Sequence, residues 1–239
     1  MSIKESDNRY LDRLYRTTVQ VCPKCKGSGA ACACRDFYEF EVKKAVSHIP
    51  RSLSNFTMDS LQSPHVQKAK KAVSLYIKDI KKNYDNGIGL FLWSKGTGTG
   101  KTSLGVITLM DALKNKYSVY YTTLEECVQL TTEGWFDKTK VGEFEQKILN
   151  VDFLLIDDVG GREVKSSGNA LLINSRFTSL LKQRNDALLP TIITSNLSLD
   201  LIREVYGERV YSVMCECVEL VNCTGLDWRK EVLKKGNVK

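Results

Sequence analysis

The residues of this sequence best suited to hold an oxyanion lie in "KGTGTGKTS", Lys95 to Ser103, where a lysine and a threonine stand behind alternating glycines. Consecutive backbone N–H groups and the N-terminus of a following helix cradle phosphate oxygens. A lysine there reaches the β- and γ-phosphates of a nucleotide, and a Ser/Thr hydroxyl ligates Mg²⁺. Lys101 and Thr102 fill those two places, with Gly96, Thr97, Gly98, Thr99, Gly100 and Ser103 forming the rest of the cradle. The pattern G-x-x-x-x-G-K-[ST] asks for glycine at position 95, where this chain has Lys95. That glycine mainly eases the exit from a strand, so its loss costs geometry and not chemistry. Gly96, Gly98 and Gly100 are expected to take φ > 0 and let the backbone approach a ligand. The alternative, a glycine-rich hairpin, fits the flanks less well: Ile88–Trp93 is an apolar run that reads as a buried strand, and Leu104–Leu113 reads as a helix.

Acids at a fitting distance complete this chemistry. "NVDFLLIDDVGG" is an apolar strand, Val151 to Ile156, ending in Asp157 and Asp158. Beside a phosphate loop, the first such carboxylate holds Mg²⁺ through water, which assigns Asp157. Asp158 is placed to polarise an attacking water as general base, where many ATPases carry the longer Glu. "LPTIITSNLSLD" gives another strand, Thr191–Ser195, followed by Asn196. In a parallel sheet, ligands sit at the carboxyl ends of strands, so Asn196 can orient that water. It can equally cap the helix that begins in "LSLDLIREVYG".

A second set of reactive residues precedes all this. "VCPKCKGSGAACACR" spaces Cys22, Cys25, Cys32 and Cys34 as C-x2-C-x6-C-x-C, with glycines for tight knuckle turns. Four thiolates can close a tetrahedral zinc site, and in so short a segment the metal would supply most of the folding free energy. Free cysteines or an iron–sulfur cluster are the alternatives. Cys127, Cys215, Cys217 and Cys223 read as structural, the last three around "CECVELV", whose alternation suggests a strand.

The elements needed to position these groups alternate strand with helix, which predicts an α/β fold with a parallel sheet. "SVYYTT", Ser118–Thr123, and "ECVELV", Glu216–Val221, bring the candidate strands to five. The boundary between the cysteine-rich appendage and the main domain is expected near Ile49, giving residues 1–48 and 49–239. At 239 residues and 42% hydrophobic, the chain suffices for one α/β core and a small appendage. No apolar run approaches the roughly 20 residues of a bilayer span, and the polar start "MSIKESDNRY" lacks a secretory core. We expect a soluble, cytoplasmic protein with reduced or metal-bound cysteines.

Net charge is +7. Lys68, Lys70, Lys71, Lys78, Lys81 and Lys82 crowd "VQKAKKAVSLYIKDIKKN", where Ala69, Val73, Tyr76, Ile77 and Ile80 recur at helical spacing. This is an amphipathic helix whose basic face is either simply solvated or in contact with nucleic acid.

With these residues in view, the chain resembles the AAA+ ATPases of the DnaC/DnaI replicative helicase loader group, including phage versions. The likeness runs from about Ile49 to Arg229 through "HIPRSLSNF", "GTGTGKTSL", "VDFLLIDDVG", "PTIITSN", "YGERVYS" and "GLDWR". It implies a P-loop NTPase binding ATP or ADP, Mg²⁺ and single-stranded DNA. It also implies a hexameric helicase as partner, gripped by an N-terminal zinc module, and self-association on helicase or DNA. The arginine of the "GER" element, Arg209, becomes an arginine finger reaching a neighbouring subunit's ATP. Loaders commonly carry a second arginine four residues later, where this chain has Val213, and that departure bears on hydrolysis more than on binding. The family's DNA-facing insertion maps onto "TLEECVQLTTEGWFDKTKVGEF", where Trp135, Phe136, Lys138 and Lys140 have the mixed aromatic and basic character of a single-strand surface. A helix packed on the sheet is the other reading of that stretch. Two rival functions share the core motifs: a transposition helper ATPase of the IstB kind, and an ATP-binding adaptor that hydrolyses almost nothing.

Overall fold

A computed structural model of the chain describes residues 5–28, 32–133, 141–142, 144–160, 170–225 and 227. Two helices come first, α1 (Glu5–Thr18) and α2 (Ala33–Val46), with the cysteine turns between them. They form a hairpin in which Tyr15 meets Tyr38 edge-on at 5.2 Å and the Tyr10 hydroxyl donates to Glu41 at 3.2 Å. Two short 3₁₀ turns, Met58–Ser60 and Pro64–Val66, lead into α3 (Gln67–Lys78) and α4 (Ile80–Asp85). The predicted basic helix is thus broken at Asp79, whose φ of −102° and ψ of 25° leave the helical region. Its apolar stripe still buries Ala69, Val73, Tyr76 and Ile80. Lys68, Lys71, Lys78, Lys81 and Lys82 are exposed, whereas Lys70 turns back to donate to the Leu61 carbonyl at 3.0 Å.

The remaining elements alternate: β1 (Gly89–Trp93), α5 (Lys101–Lys114), β2 (Val119–Thr123), α6 (Leu124–Glu133), β3 (Phe153–Val159), α7 (Ala170–Asp186), β4 (Thr191–Ser195), α8 (Leu199–Tyr206), α9 (Glu208–Cys217) and β5 (Val218–Asn222). The sheet order is β2-β3-β4-β1-β5, and each neighbouring pair is parallel. This is the AAA+ P-loop arrangement, and all five strands lie in the sequence regions that predicted them. Two ends move. β3 runs through both aspartates to Val159, and β5 starts only at Val218, because Cys215 and Cys217 belong to α9. The alternation in "CECVELV" is misleading there, since helix α9 buries Val210, Met214 and Cys217 at helical spacing.

Period-two alternation sorts the strand residues into two cores. Leu90, Leu92, Phe153 and Leu155 face α3 and α5 in one core. Phe91, Leu154, Ile156 and Ile193 face α6, α7, α8 and α9 in the other. Strands buried on both faces read as continuous apolar runs, as β1 and the Phe153–Ile156 part of β3 do. Helix α5, which carries the phosphate loop on its N-terminus, has eleven of its fourteen residues buried. A helix held on so many sides presents its first turn in a fixed position at the carboxyl ends of β1 and β3.

A buried cation ties the opposite, amino-terminal end of β3 and β4. Arg184 in α7, fully buried, donates through Nη1 to the carbonyls of Ile148 (2.8 Å) and Val151 (2.9 Å) and through Nη2 to that of Pro190 (2.9 Å). Its Nε donates to the Thr191 hydroxyl at 2.9 Å. Burial lowers the guanidinium pKa to about 9. No helix among the described residues is long and apolar enough to cross a membrane.

Candidate nucleotide site and cysteine cluster

The loop leaves β1 through Ser94, whose N–H donates to the Ser195 carbonyl at 3.1 Å and whose Oγ accepts the Gly96 N–H at 3.1 Å. Those two bonds fix the turn that the missing first glycine would ease. Lys95 does not stand among the residues of positive φ, and its side chain is exposed. Gly98 (φ 65°) and Gly100 (φ 91°) take the left-handed conformation expected of them; Gly96 does not. What Gly96 avoids is crowding, since a Cβ there would meet Thr99 Cγ2 at 3.2 Å.

Gly100 is the N-cap of α5, so Lys101 and Thr102 open the helix. Lys101 is 9% exposed, and its ammonium lies back over the loop, donating to the Gly96 carbonyl at 2.8 Å. The lysine is therefore a buried part of the cradle and not a surface charge. Thr99 Oγ1, inside the same loop, is buried with no hydrogen-bond partner among the described residues.

Asp157 gathers three hydroxyls. Its Oδ1 accepts from Thr102 at 2.9 Å and from Thr194 at 2.5 Å, and its Oδ2 accepts from Tyr121 at 2.7 Å. Burial, followed by the carboxylate's charge, pushes the Tyr121 phenol pKa well above its usual range. The phenol is thus a permanent donor. A carboxylate and a threonine hydroxyl side by side are the hard oxygen donors that Mg²⁺ prefers.

Asp158 points elsewhere because β3 is bulged. Ile156 pairs with Ile193 but Val159 pairs with Ser195, leaving one extra residue on β3, and Asp158 has φ 56°. Bulges of this kind re-aim side chains beside active sites. Asp157 stays buried toward Thr102 while Asp158 is exposed and accepts from Asn196 Nδ2 at 3.2 Å. The cap of α8 is Ser198, whose side chain accepts from Leu201 N–H, and not Asn196. Asn196 is left aimed at Asp158.

Arg209 is exposed on α9, beside Glu208, which the Arg203 side chain engages. Val213 is half-buried against the core of that face. Trp135, Phe136, Lys138 and Lys140, and the closing Arg229, lie outside the described residues.

In the N-terminal cluster, the Sγ atoms of Cys22, Cys25, Cys32 and Cys34 all lie within 4.8 Å of one another. Cys22 and Cys32 are 3.7 Å apart, and Cys25 and Cys34 are 3.5 Å apart. A tetrahedral zinc with bonds of about 2.3 Å sets its sulfurs roughly 3.8 Å from each other. The donor set therefore fits zinc. The knuckle turn after Cys25 uses Lys26 (φ 50°) and Gly27 (φ 84°), and Cys32 stands at the N-cap of α2 with Cys34 in its first turn. Backbone N–H groups of Cys25 and Lys24 lower the Cys22 thiol to about 6, while burial and its cysteine neighbours push the Cys34 thiol up to about 12.

Residues 65–215, well over half of the chain, match the family described as IstB-like ATP binding protein. The chain belongs to that family. Among solved structures, this IstB-like protein is similar to the DnaC helicase loader, with a TM-score of 0.61 and 24% identity over 72% of this chain and 99% of that one. It is also similar to DnaI, with TM-score 0.58 and 19% identity over 75% and 94% of the two chains. A third likeness is to the replication initiator DnaA bound to AMPPCP and single-stranded DNA, with TM-score 0.59 and 21% identity over 77% of this chain and 56% of that one. At these identities the likenesses establish a shared AAA+ fold. No curated protein sequence matches the chain.

Three residues around the loop escaped the sequence reading. Thr194 and Tyr121 sit one and two residues before the ends of β4 and β2, and nothing in "TIITS" or "VYYTT" marks a hydroxyl as facing Asp157 until the sheet order is known. Asp227 follows β5 by five residues, and its carboxylate lies against Gly98. Its only sequence signal is an acid just past a last strand, within "GLDWR".

Proposed function

We propose that this IstB-like ATP-binding protein is an ATP-hydrolysing loader of a hexameric replicative helicase, acting in the cytoplasm of a bacterial or phage-infected cell. The observation that carries the nucleotide part is the contact of Thr102 with Asp157 at 2.9 Å, beside a loop whose Lys101 is buried against its own backbone. In this reading Gly96, Thr97, Gly98, Thr99 and Gly100 wrap the β-phosphate with backbone N–H groups, Ser103 supports the first turn, and Lys101 neutralises the β- and γ-phosphates. Thr102 and Asp157 hold Mg²⁺, which draws charge from the phosphoryl oxygens. Asp158 accepts a proton from a water that Asn196 orients, the water oxygen bonds to the γ-phosphorus, and ADP leaves with the electron pair of the broken P–O bond. Arg209 completes the charge compensation from a neighbouring subunit.

The loader part rests on coarser support. The solved protein of 24% identity is itself a helicase loader, and the DnaA structure of the same fold holds a nucleotide analogue together with single-stranded DNA. We assign residues 1–48 to a zinc-bound, helicase-gripping module, with Cys22, Cys25, Cys32 and Cys34 as ligands. Single-stranded DNA contacts either the 123–144 insertion or the basic 66–82 region. The name of the matching family favours a second reading, a transposition helper of the IstB kind, and the cysteine module in front of the core favours the loader.

Mixing tests the trans finger and with it the assembly. Arg209→Ala, which keeps the loop, and Lys101→Ala, which keeps the finger, should each lose turnover, and their mixture on DNA or helicase should recover part of it. An arginine supplied to the transition state is worth roughly 10³-fold or more in rate. A dead mixture of co-assembled variants, or full turnover by Arg209→Ala, would contradict the proposal and favour the weakly hydrolysing adaptor.

A further inference from the structure

The chain that leaves β5 does not run off into solvent. Cys223 extends the ladder by donating its N–H to the Trp93 carbonyl at 2.8 Å, at the point where β1 gives way to the phosphate loop. Gly225 then passes between two walls. A Cβ on Gly225 would stand 2.9 Å from His65 Cβ, and the Gly225 carbonyl oxygen lies 3.7 Å from where a Cβ on Gly96 would be. Two residues on, the Asp227 carboxylate reaches the centre of the loop. Its Oδ1 lies 1.8 Å, and its Oδ2 3.2 Å, from the position a Cβ on Gly98 would occupy. Gly98 is the only residue type that leaves room for it.

A carboxylate in that place has a physical cause. The loop's left-handed glycines turn successive N–H groups to one side, and α5 adds the positive end of its dipole. Such a concavity attracts oxyanions, and it does not distinguish a carboxylate from a phosphate by charge sign. Phosphates drawn into that concavity would meet the carboxylate already lying against Gly98.

We propose that Asp227 is an affinity-setting residue of the nucleotide site: its carboxylate occupies the phosphate cradle in the nucleotide-free protein and must be displaced when ATP or ADP binds. The proposal rests on the phosphate-loop reading and adds a competitor to it. Competition by a tethered group lowers apparent affinity by the fraction of molecules in which the cradle is filled. A single carboxylate at a helix N-terminus, partly buried, corresponds to roughly 3- to 30-fold in an equilibrium constant.

The test is calorimetric titration of full-length protein with ATP, ADP and inorganic pyrophosphate, comparing the parent with Asp227→Asn, Asp227→Ala, Glu219→Gln and Lys101→Ala. Asp227→Asn keeps the shape and removes the charge, and Asp227→Ala removes both. Glu219, exposed on β5, controls for the loss of one negative charge away from the loop. Both Asp227 variants should bind all three ligands about 3- to 30-fold more tightly than the parent, with Glu219→Gln unchanged. Binding by the Asp227 variants where the parent binds too weakly to measure is the same result in stronger form. Equal or weaker binding by both variants overturns the proposal, and weaker binding would make Asp227 a helper of the nucleotide. If the variants equal the parent while Lys101→Ala abolishes binding, Asp227 alone is excluded and the loop reading stands. If no protein in the set binds any of the ligands, both readings fall.

Discussion

The two ends of this molecule are held together by different physics. From Ser47 onward, side chains fill two apolar cores on either face of a parallel sheet. Ahead of it, the described residues bury only Leu11, Val19 and Cys22 among hydrophobic side chains, and α2 buries none. Each fully buried Leu, Ile or Phe contributes about 1.5–3 kcal/mol, so the sheet can hold its shape on burial alone. Three such residues cannot order two helices. Phe40 of α2 packs on the core of one sheet face, and the cysteine cluster has to supply most of the rest of the order in residues 5–46. The sequences show the contrast, with fixed spacing of one residue type in one region and periodicity of many types in the other.

The comparison breaks most visibly at the cysteines. Cys22→Ser or Cys34→Ser should release close to one zinc per chain, because structural zinc supplies on the order of 10 kcal/mol to a site of this kind. Metal analysis should show the loss, and hydrogen exchange should show α1 and α2 unprotected while the sheet and ATP affinity stay as in the parent. Loss of protection in β1 and β3 as well would mean that the two regions are one folding unit.

A smaller effect, on the other side, is expected at Arg184. Arg184→Met keeps volume but removes the guanidinium donor from the carbonyls of Ile148 and Val151, while the Pro190 carbonyl keeps only the Leu154 N–H at 3.3 Å. A buried acceptor left unmet costs about 1–3 kcal/mol, so urea denaturation should show the core destabilised by roughly 3 kcal/mol or more, with zinc still bound. Unchanged stability would show that water reaches those carbonyls.

How much of this could be read beforehand follows the same division. Five strands were legible because β1 and the start of β3 are apolar runs, because β4 is rich in β-branched Thr and Ile, and because the loop names the strand and helix on either side of it. The cysteine cluster was legible from spacing. What escaped depends on pairing between distant strands. The bulge that turns Asp158 outward exists only in the register of β3 against β4, and Thr194 and Tyr121 reach Asp157 only once β2, β3 and β4 lie side by side. Asp227 needed the path of the chain after β5. The misread start of β5 has another cause: a short segment alternating polar and apolar residues satisfies both periods, and α9 wins it through packing on α7 and α8.

Tyr121 offers the finest test of the sheet-built part. Tyr121→Phe removes one of three hydroxyls from Asp157, a change of about 1 kcal/mol. The Mg²⁺ concentration giving half-maximal turnover should rise several-fold, while nucleotide binding without Mg²⁺ and zinc content stay unchanged. No shift in the Mg²⁺ requirement would reduce the phenol to a packing role.

The most direct measurement is ATP binding by Lys101→Ala, followed by calorimetry on protein whose zinc content and melting transition match the parent. The account predicts a folded protein that shows no binding at ATP concentrations saturating the parent. Unchanged affinity in that variant would contradict the assignment of Lys95–Ser103 as the nucleotide's phosphate loop, and with it the function built on that loop.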